Sequence, residues 1–234
     1  KIMLANPLMN FDKILLLDTP AYHGKHESAH RNGYGYGQMN GSRLTVLDGI
    51  GPDAKERVLN DPNAGYIMRM DLSFDAKKIL FAWRDCKKGQ PFHIYEIDVD
   101  PSTGLRASGK GLRQITRGRF HDIHPFYLPD GKIGFVSTRV AAFTMCQPGA
   151  ACALYVMDAD GKNMRRIHFG TLADHSPYVQ ADGRILFTRW EYQDKNLTYA
   201  QGLWTINPDG TRLRLFYGNT IREPAVTWQA KTIP

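Results

Sequence analysis

Apolar residues in this chain come in short alternating runs, each closed by a Pro/Asp/Gly turn, and no segment sustains the 3.6-residue apolar period of an amphipathic helix. The runs repeat. Asp122-Ile-His-Pro-Phe-Tyr-Leu-Pro-Asp-Gly-Lys-Ile-Gly-Phe-Val-Ser aligns without a gap on Asp174-His-Ser-Pro-Tyr-Val-Gln-Ala-Asp-Gly-Arg-Ile-Leu-Phe-Thr-Arg, 52 residues later, and more loosely on the stretch from Met70 to Phe81. Each copy is followed by a second shared run: Ile94-Tyr-Glu-Ile-Asp, Leu154-Tyr-Val-Met-Asp and Leu203-Trp-Thr-Ile-Asn. Self-similarity at a period near fifty means that one unit is a single supersecondary module, which buries its apolar faces by stacking on its neighbours.

One unit holds four strands. In the third, the run from His124 to Leu128 is reversed by Pro129-Asp130-Gly131, where Pro presets φ and Gly takes the left-handed position. Lys132 to Thr138 returns, Ala153 to Asp158 is the third strand, Asp160-Gly161 turns, and Asn163 to His168 is an Arg-bearing edge strand. The fold class is therefore all-β: a β-propeller of four-stranded antiparallel blades. As a single domain over 1–234, its units run over about 8–64, 65–118, 119–170 and 171–218, with a partial one over 219–234. The first is degenerate, its strands at Lys13 to Leu17, Arg43 to Asp48 and Arg57 to Leu59 interrupted by a long Gly/Tyr/His insertion. Propellers close with about four to eight blades. Four units and a part are expected to belong to a larger ring, since Lys1 is not an initiator Met and Pro234 falls where a further strand pair would continue; the alternative is a ring whose two ends complete one blade.

Composition fits a folded domain, with 42% apolar residues in 234 positions. No run of about eighteen apolar residues is present to span a membrane. The net charge of +7 is spread over turns and edge strands, which reads as a solvated surface and not as a nucleic-acid groove. Cys146 and Cys152 flank a spacer containing Pro148 and Gly149 that is long enough to close a disulfide in an oxidising compartment, although two free thiols fit the spacing equally; Cys86 is left over. None of the three stands in Cys-x-x-Cys-His, so no covalent haem site is expected in this chain.

Histidines supply the candidate chemistry. His23, His26 and His30 lie close enough in the insertion for a wrapped loop to hold a divalent metal, the one cofactor these residues would admit, but a polar loop without a ligand explains them as well. A second set, Asp122, His124, Asp174 and His175, with His121 beside it, starts the innermost strands of two successive blades, where a propeller's central channel opens and ligands bind. Its catalytic reading makes the imidazoles general bases at the channel mouth. Its structural reading has the aspartates accept backbone N–H groups from the neighbouring blade. The structural reading is expected, because the aligned positions in the flanking units are Ile67 and Ile221 and no third Asp completes the symmetry.

The blocks Pro129-Asp-Gly-Lys-Ile-Gly-Phe and Ala181-Asp-Gly-Arg-Ile-Leu-Phe resemble the TolB-type propeller repeat of periplasmic scaffold proteins, peptidase propellers and oligogalacturonate lyases. More narrowly, Leu128 to Arg139, Asp182 to Tyr192 and Gln201 to Thr211 resemble the propeller region of the hydrazine synthase alpha subunit and its multidomain relatives, a resemblance that covers the chain from about Lys13 onward. It implies an exported protein, periplasmic or in an equivalent compartment, whose propeller accompanies c-type haem domains carried elsewhere in the polypeptide or on partner subunits. Two function classes follow: a non-catalytic scaffold that presents loops to those partners, and a propeller lyase acting on uronate-containing oligosaccharides. For the lyase the resemblance implies a metal and a base among His121, His124 and His175, with Arg139 or Arg189 neutralising the uronate carboxylate. The scaffold is expected.

Overall fold

The computed structural model describes residues 11–19, 41–85, 90–99, 111–140, 142–143, 150–170, 173–191, 201–218, 221, 223–224 and 226–232. Fifteen strands run through them: β1 (Lys13–Asp18), β2 (Arg43–Asp48), β3 (Lys55–Val58), β4 (Gly65–Leu72), β5 (Lys78–Asp85), β6 (His93–Asp98), β7 (Leu112–Gln114), β8 (Asp122–Tyr127), β9 (Ile133–Ser137), β10 (Ala153–Met157), β11 (Arg165–Arg166), β12 (Asp174–Val179), β13 (Ile185–Trp190), β14 (Gln201–Ile206) and β15 (Arg214–Tyr217). They form four antiparallel sheets in chain order, β1-β2-β3, β4-β5-β6-β7, β8-β9-β10-β11 and β12-β13-β14-β15. The described residues contain no helix, and the all-β blade architecture read from the repeats stands.

The sheets stack face to face, so each apolar cluster straddles a blade boundary. Leu44, Val46 and Leu59 of the first sheet meet Ile67, Ile79 and Phe81 of the second. Leu80, Ile94 and Ile115 of the second meet Ile133, Phe135 and Tyr155 of the third. Val136, Leu154 and Ile167 of the third meet Ile185, Phe187 and Trp190 of the fourth. β9 and β10 are consequently buried at every position, because both faces of the third sheet are covered. The three phenylalanines that the repeat superposes, Phe81, Phe135 and Phe187, are 2%, 0% and 0% exposed.

The sheet register identifies equivalent positions. Leu44, Ile94 and Leu154 each accept at their carbonyl from the residue that follows the outermost strand, Leu59, Ile115 and Ile167. The first sheet's β2 therefore matches β6 and β10, and β1 matches β5 and β9; among the described residues that unit has no counterpart of β4, β8 and β12. β11 is only two residues long, shorter than the run Asn163 to His168 suggests. Asn163 is used by the turn instead: it takes a left-handed φ of 52°, and its Nδ2 donates to Asp158 Oδ2 at 2.6 Å.

The C-terminal segment does not pair with β1 among the described residues. Val226 forms a parallel bridge to Gln201, and the Thr227 N–H donates to the Gln201 carbonyl at 3.1 Å. Asp122 makes the same bond to Phe92, at 2.9 Å, and Asp174 to Cys152, at 3.1 Å. Thr227 thus holds the place of Asp122 and Asp174 at the start of the next inner strand. Ile67 is the matching residue of the second unit, as the repeat suggests, but the fourth match is Thr227 and not Ile221: Thr227 lies 53 residues after Asp174 (227 − 174), close to the 52 between Asp122 and Asp174, whereas Ile221 lies only 47 after it (221 − 174).

Replacing Phe135 by Ala should lower unfolding free energy by about 3–5 kcal/mol, since both neighbouring sheets hold the cavity open. Phe74, 71% exposed, is the control and should cost less than about 0.5 kcal/mol when truncated. Equilibrium urea unfolding of the two variants separates these outcomes.

Candidate functional site

The inner strands β4, β8 and β12 lie side by side along the inner edge of the stacked sheets. Each carries an irregularity near its start: register shifts fall between Ile67 and Arg69, between Ile123 and Phe126, and between His175 and Tyr178. In the last two the residue before proline is forced left-handed, with φ of 49° at His124 and 47° at Ser176. For a non-glycine residue this costs about 1–3 kcal/mol, and it persists because the flanking strands are pinned on both sides. Gln229, two residues past Thr227, repeats the feature with φ of 56°. Counting two residues on from Ile67, Asp122, Asp174 and Thr227 gives Arg69, His124, Ser176 and Gln229, one polar side chain per inner strand.

Three of these four join. Arg69 Nη2 donates to Ser176 Oγ at 3.3 Å, and the Ser176 backbone N–H donates to His124 Nδ1 at 3.2 Å. Burial, with the nearby Arg69 and His175 adding to it, pushes His124 well below the ordinary imidazole range. The ring is neutral, and because Nδ1 accepts, its proton resides on Nε2. A cavity of about 190 Å³ opens here, lined by Arg69, Asp71, His124, Ser176, Tyr178 and Lys231. Asp71 Oδ2 accepts the Tyr127 N–H at 2.8 Å, and burial raises its pKa.

The two aspartates of the sequence-derived set are occupied elsewhere. Asp122, fully buried, receives Arg139 through Nε at 3.0 Å and Nη2 at 2.7 Å, together with the Ser137 hydroxyl at 2.6 Å. Although burial opposes ionisation, the nearby His93, whose Nδ1 lies 3.8 Å away, and the hydrogen bonds from Arg139 and Ser137 outweigh it and hold the carboxyl below its usual range. Asp174 Oδ2 lies 2.6 Å from His168 Nδ1 and accepts the Leu154 N–H of the preceding blade at 3.1 Å. That N–H is the same one Asn60 Oδ1 caps at Leu44 and Thr116 Oγ1 caps at Ile94; where those units need one side chain, the third unit uses His168 and Asp174 together.

The remaining candidates disperse. His175 packs on Trp228, ring centroids 5.9 Å apart. His121 Nδ1 accepts the Phe92 N–H at 3.3 Å. Arg189 lies over the Trp204 ring at 4.6 Å, while Arg139 is bound to Asp122. His23, His26 and His30 and the pairing of Cys146 with Cys152 fall on or depend on residues outside those described; Cys152 itself is buried. Among the described residues no group of three His, Cys, Asp or Glu side chains gathers as a metal site, and no helix is long and apolar enough to cross a membrane. Sequence reasoning missed Arg69 and Ser176. The signal available was their shared offset from Ile67 and Asp174, obscured because the three side chains differ in type.

No protein-family model matches the chain, and no curated protein is similar enough in sequence to align with it. Solved structures are similar in fold. Hydrazine synthase of Kuenenia stuttgartiensis superposes with a TM-score of 0.67 at 20% identity, covering 89% of this chain and 32% of that one. A putative TolB from Agrobacterium tumefaciens gives 0.54 at 20% identity, covering 74% and 56%. An oligogalacturonate lyase in complex with manganese gives 0.50 at 15% identity, covering 76% and 48%. The chain has a β-propeller fold similar to those of hydrazine synthase and TolB, and it spans about a third of the length of the hydrazine synthase chain (32%).

Asp122→Asn should destabilise the fold by about 3–5 kcal/mol, because it strands the Arg139 guanidinium, which is only 20% exposed. The histidines add a pH dependence. Burial and the charge of Arg84 lower His121 to about 4, so between that value and the unfolded pKa near 6.5 the unfolded chain binds more protons. Stability should be full above pH 6.5 and fall toward pH 4, with His124 acting in the same direction and Asp71 opposing it at the acidic end. Urea midpoints measured from pH 7.5 to 4.5 should decline, and His121→Gln should flatten the decline.

Proposed function

We propose that this chain is a non-catalytic scaffold or interaction propeller of an exported, hydrazine synthase alpha-like protein, periplasmic or in an equivalent compartment, that works beside c-type haem domains or subunits. The likeness to hydrazine synthase carries the reading: it extends over 89% of the chain, more than the TolB or lyase likenesses cover, while this chain spans only a third of that larger protein. The geometry supports the absence of turnover in this domain. A uronate lyase needs a general base within hydrogen-bonding reach of the substrate's C–H or of one bridging water. Here Asp122 is tied to Arg139 and Asp174 to His168, and His124 is a buried imidazole whose Nδ1 is already an acceptor. A stack of sheets packed face to face through shared apolar clusters is suited instead to holding partner domains.

Haem analysis of the intact gene product, paired with mass spectrometry of its full length, tests this reading. The expected result is c-type haem in the intact protein, no haem absorbance from residues 1–234, and no cleavage of oligogalacturonate. Eliminase activity that disappears on His124→Ala or His175→Ala would replace the scaffold reading with the lyase, and an intact product without haem would remove the haem association.

A further inference from the structure

We infer that the cavity between β4, β8 and β12 is a binding site for a small monocarboxylate, held by the Arg69 guanidinium with the Ser176 hydroxyl and the His124 Nε2–H. The site differs from the scaffold role, which concerns the outer loops, and neither depends on the other.

Charge is the first reason. Among the described residues Arg69 has no carboxylate within ion-pair distance; its polar contact is the Ser176 hydroxyl at 3.3 Å. Burial alone moves its pKa, downward, with no opposite charge offsetting the loss of solvent. An ionised side chain is rarely left desolvated without a partner, because the cost falls only when a counter-charge or hydrogen bonds replace the water. The one carboxylate on the cavity wall, Asp71, is directed to the Tyr127 N–H and has Lys231 as the cation acting on it. With Arg69 and Lys231 positive, Asp71 negative and His124 neutral, the lining is left with one positive charge.

Donor arithmetic is the second. Ser176 accepts from Arg69 through Oγ, so its own O–H proton is the group left to donate. His124 accepts at Nδ1 and donates at Nε2. Guanidinium, hydroxyl and imidazole N–H are then all donors, which is the complement of an acceptor-only ligand. The planar fork of Arg favours a planar, two-oxygen anion over a spherical one. The volume of about 190 Å³ is that of a few waters and admits a short carboxylic acid, and Pro125, Pro177 and the Tyr178 ring supply an apolar wall for its tail. The left-handed backbone at His124 and Ser176 is what brings the two donors into this position, and strained residues of this kind cluster at ligand sites.

The test uses the intact protein with sodium acetate as the probe, replacing sodium chloride at constant ionic strength. Acetate should raise the melting temperature in a saturable manner while chloride does not, and calorimetry should give one site. Arg69→Lys, which keeps the charge and loses the fork, should weaken acetate binding about tenfold, and Ser176→Ala severalfold. Arg69→Met should abolish the acetate response and, in acetate-free buffer, leave the melting temperature unchanged or higher, since an uncompensated cation has been removed. Equal melting temperatures in the two salts, or an undiminished response in Arg69→Lys, would overturn the proposal. D-galacturonate binding more tightly than acetate would overturn the assignment to a small ligand. If Arg69→Met does not fold, Arg69→Lys and Ser176→Ala decide the matter.

Discussion

The structure depends on one repeated bond. At three boundaries a backbone N–H at the start of the inner segment donates to a carbonyl at the start of the preceding sheet's third strand, Asp122 to Phe92, Asp174 to Cys152 and Thr227 to Gln201; at the first boundary the Ile67 N–H donates to the Ser42 hydroxyl at 3.0 Å. Each is a single hydrogen bond, contributing about 0.5–1.5 kcal/mol net, but it fixes the offset between neighbouring sheets. With the offset fixed, Phe81, Phe135 and Phe187 all meet the sheet in front of them. Sheets free to slide would lose that packing, and no single four-stranded blade has apolar faces it could bury alone.

The same latch decides what the inner edge presents. Residues two positions beyond it face the cavity, so a change of one residue in the latch would exchange Arg69, His124 and Ser176 for their neighbours. The latch positions themselves are chemically unlike: Ile67 is apolar, Asp122 and Asp174 hold buried charges, and Thr227 donates its hydroxyl to the Gln201 carbonyl at 2.9 Å. Backbone geometry, not side-chain identity, is what the units share here. This separates a framework that tolerates variation at the latch from an inner edge where Arg69, Ser176 and His124 are hydrogen-bonded in sequence.

The repeat blocks made the blades, the strand order and the buried phenylalanines legible in the sequence, because a period of about fifty residues and an alternating apolar pattern survive in every unit. Pairings that cross from one strand to another were less visible. Asp122 reaches Arg139 only because β8 and β9 place Asp122 opposite Ser137, and Asp174 reaches His168 across a blade boundary. The cavity was hidden for a different reason: Arg69, His124 and Ser176 share one offset in the repeat but differ in side-chain type, so the alignment does not mark them as a set.

Amide hydrogen exchange at Asp122, Asp174 and Thr227 measures the latch directly. If the sheets are held as one cooperative stack, the three amides exchange slowly and share a dependence on denaturant, reporting a common opening. Thr227 is the critical amide, because it is the one that carries the pattern past the last complete sheet. Exchange of the Thr227 N–H at the rate of an unstructured chain, with Asp122 and Asp174 protected, would contradict the account.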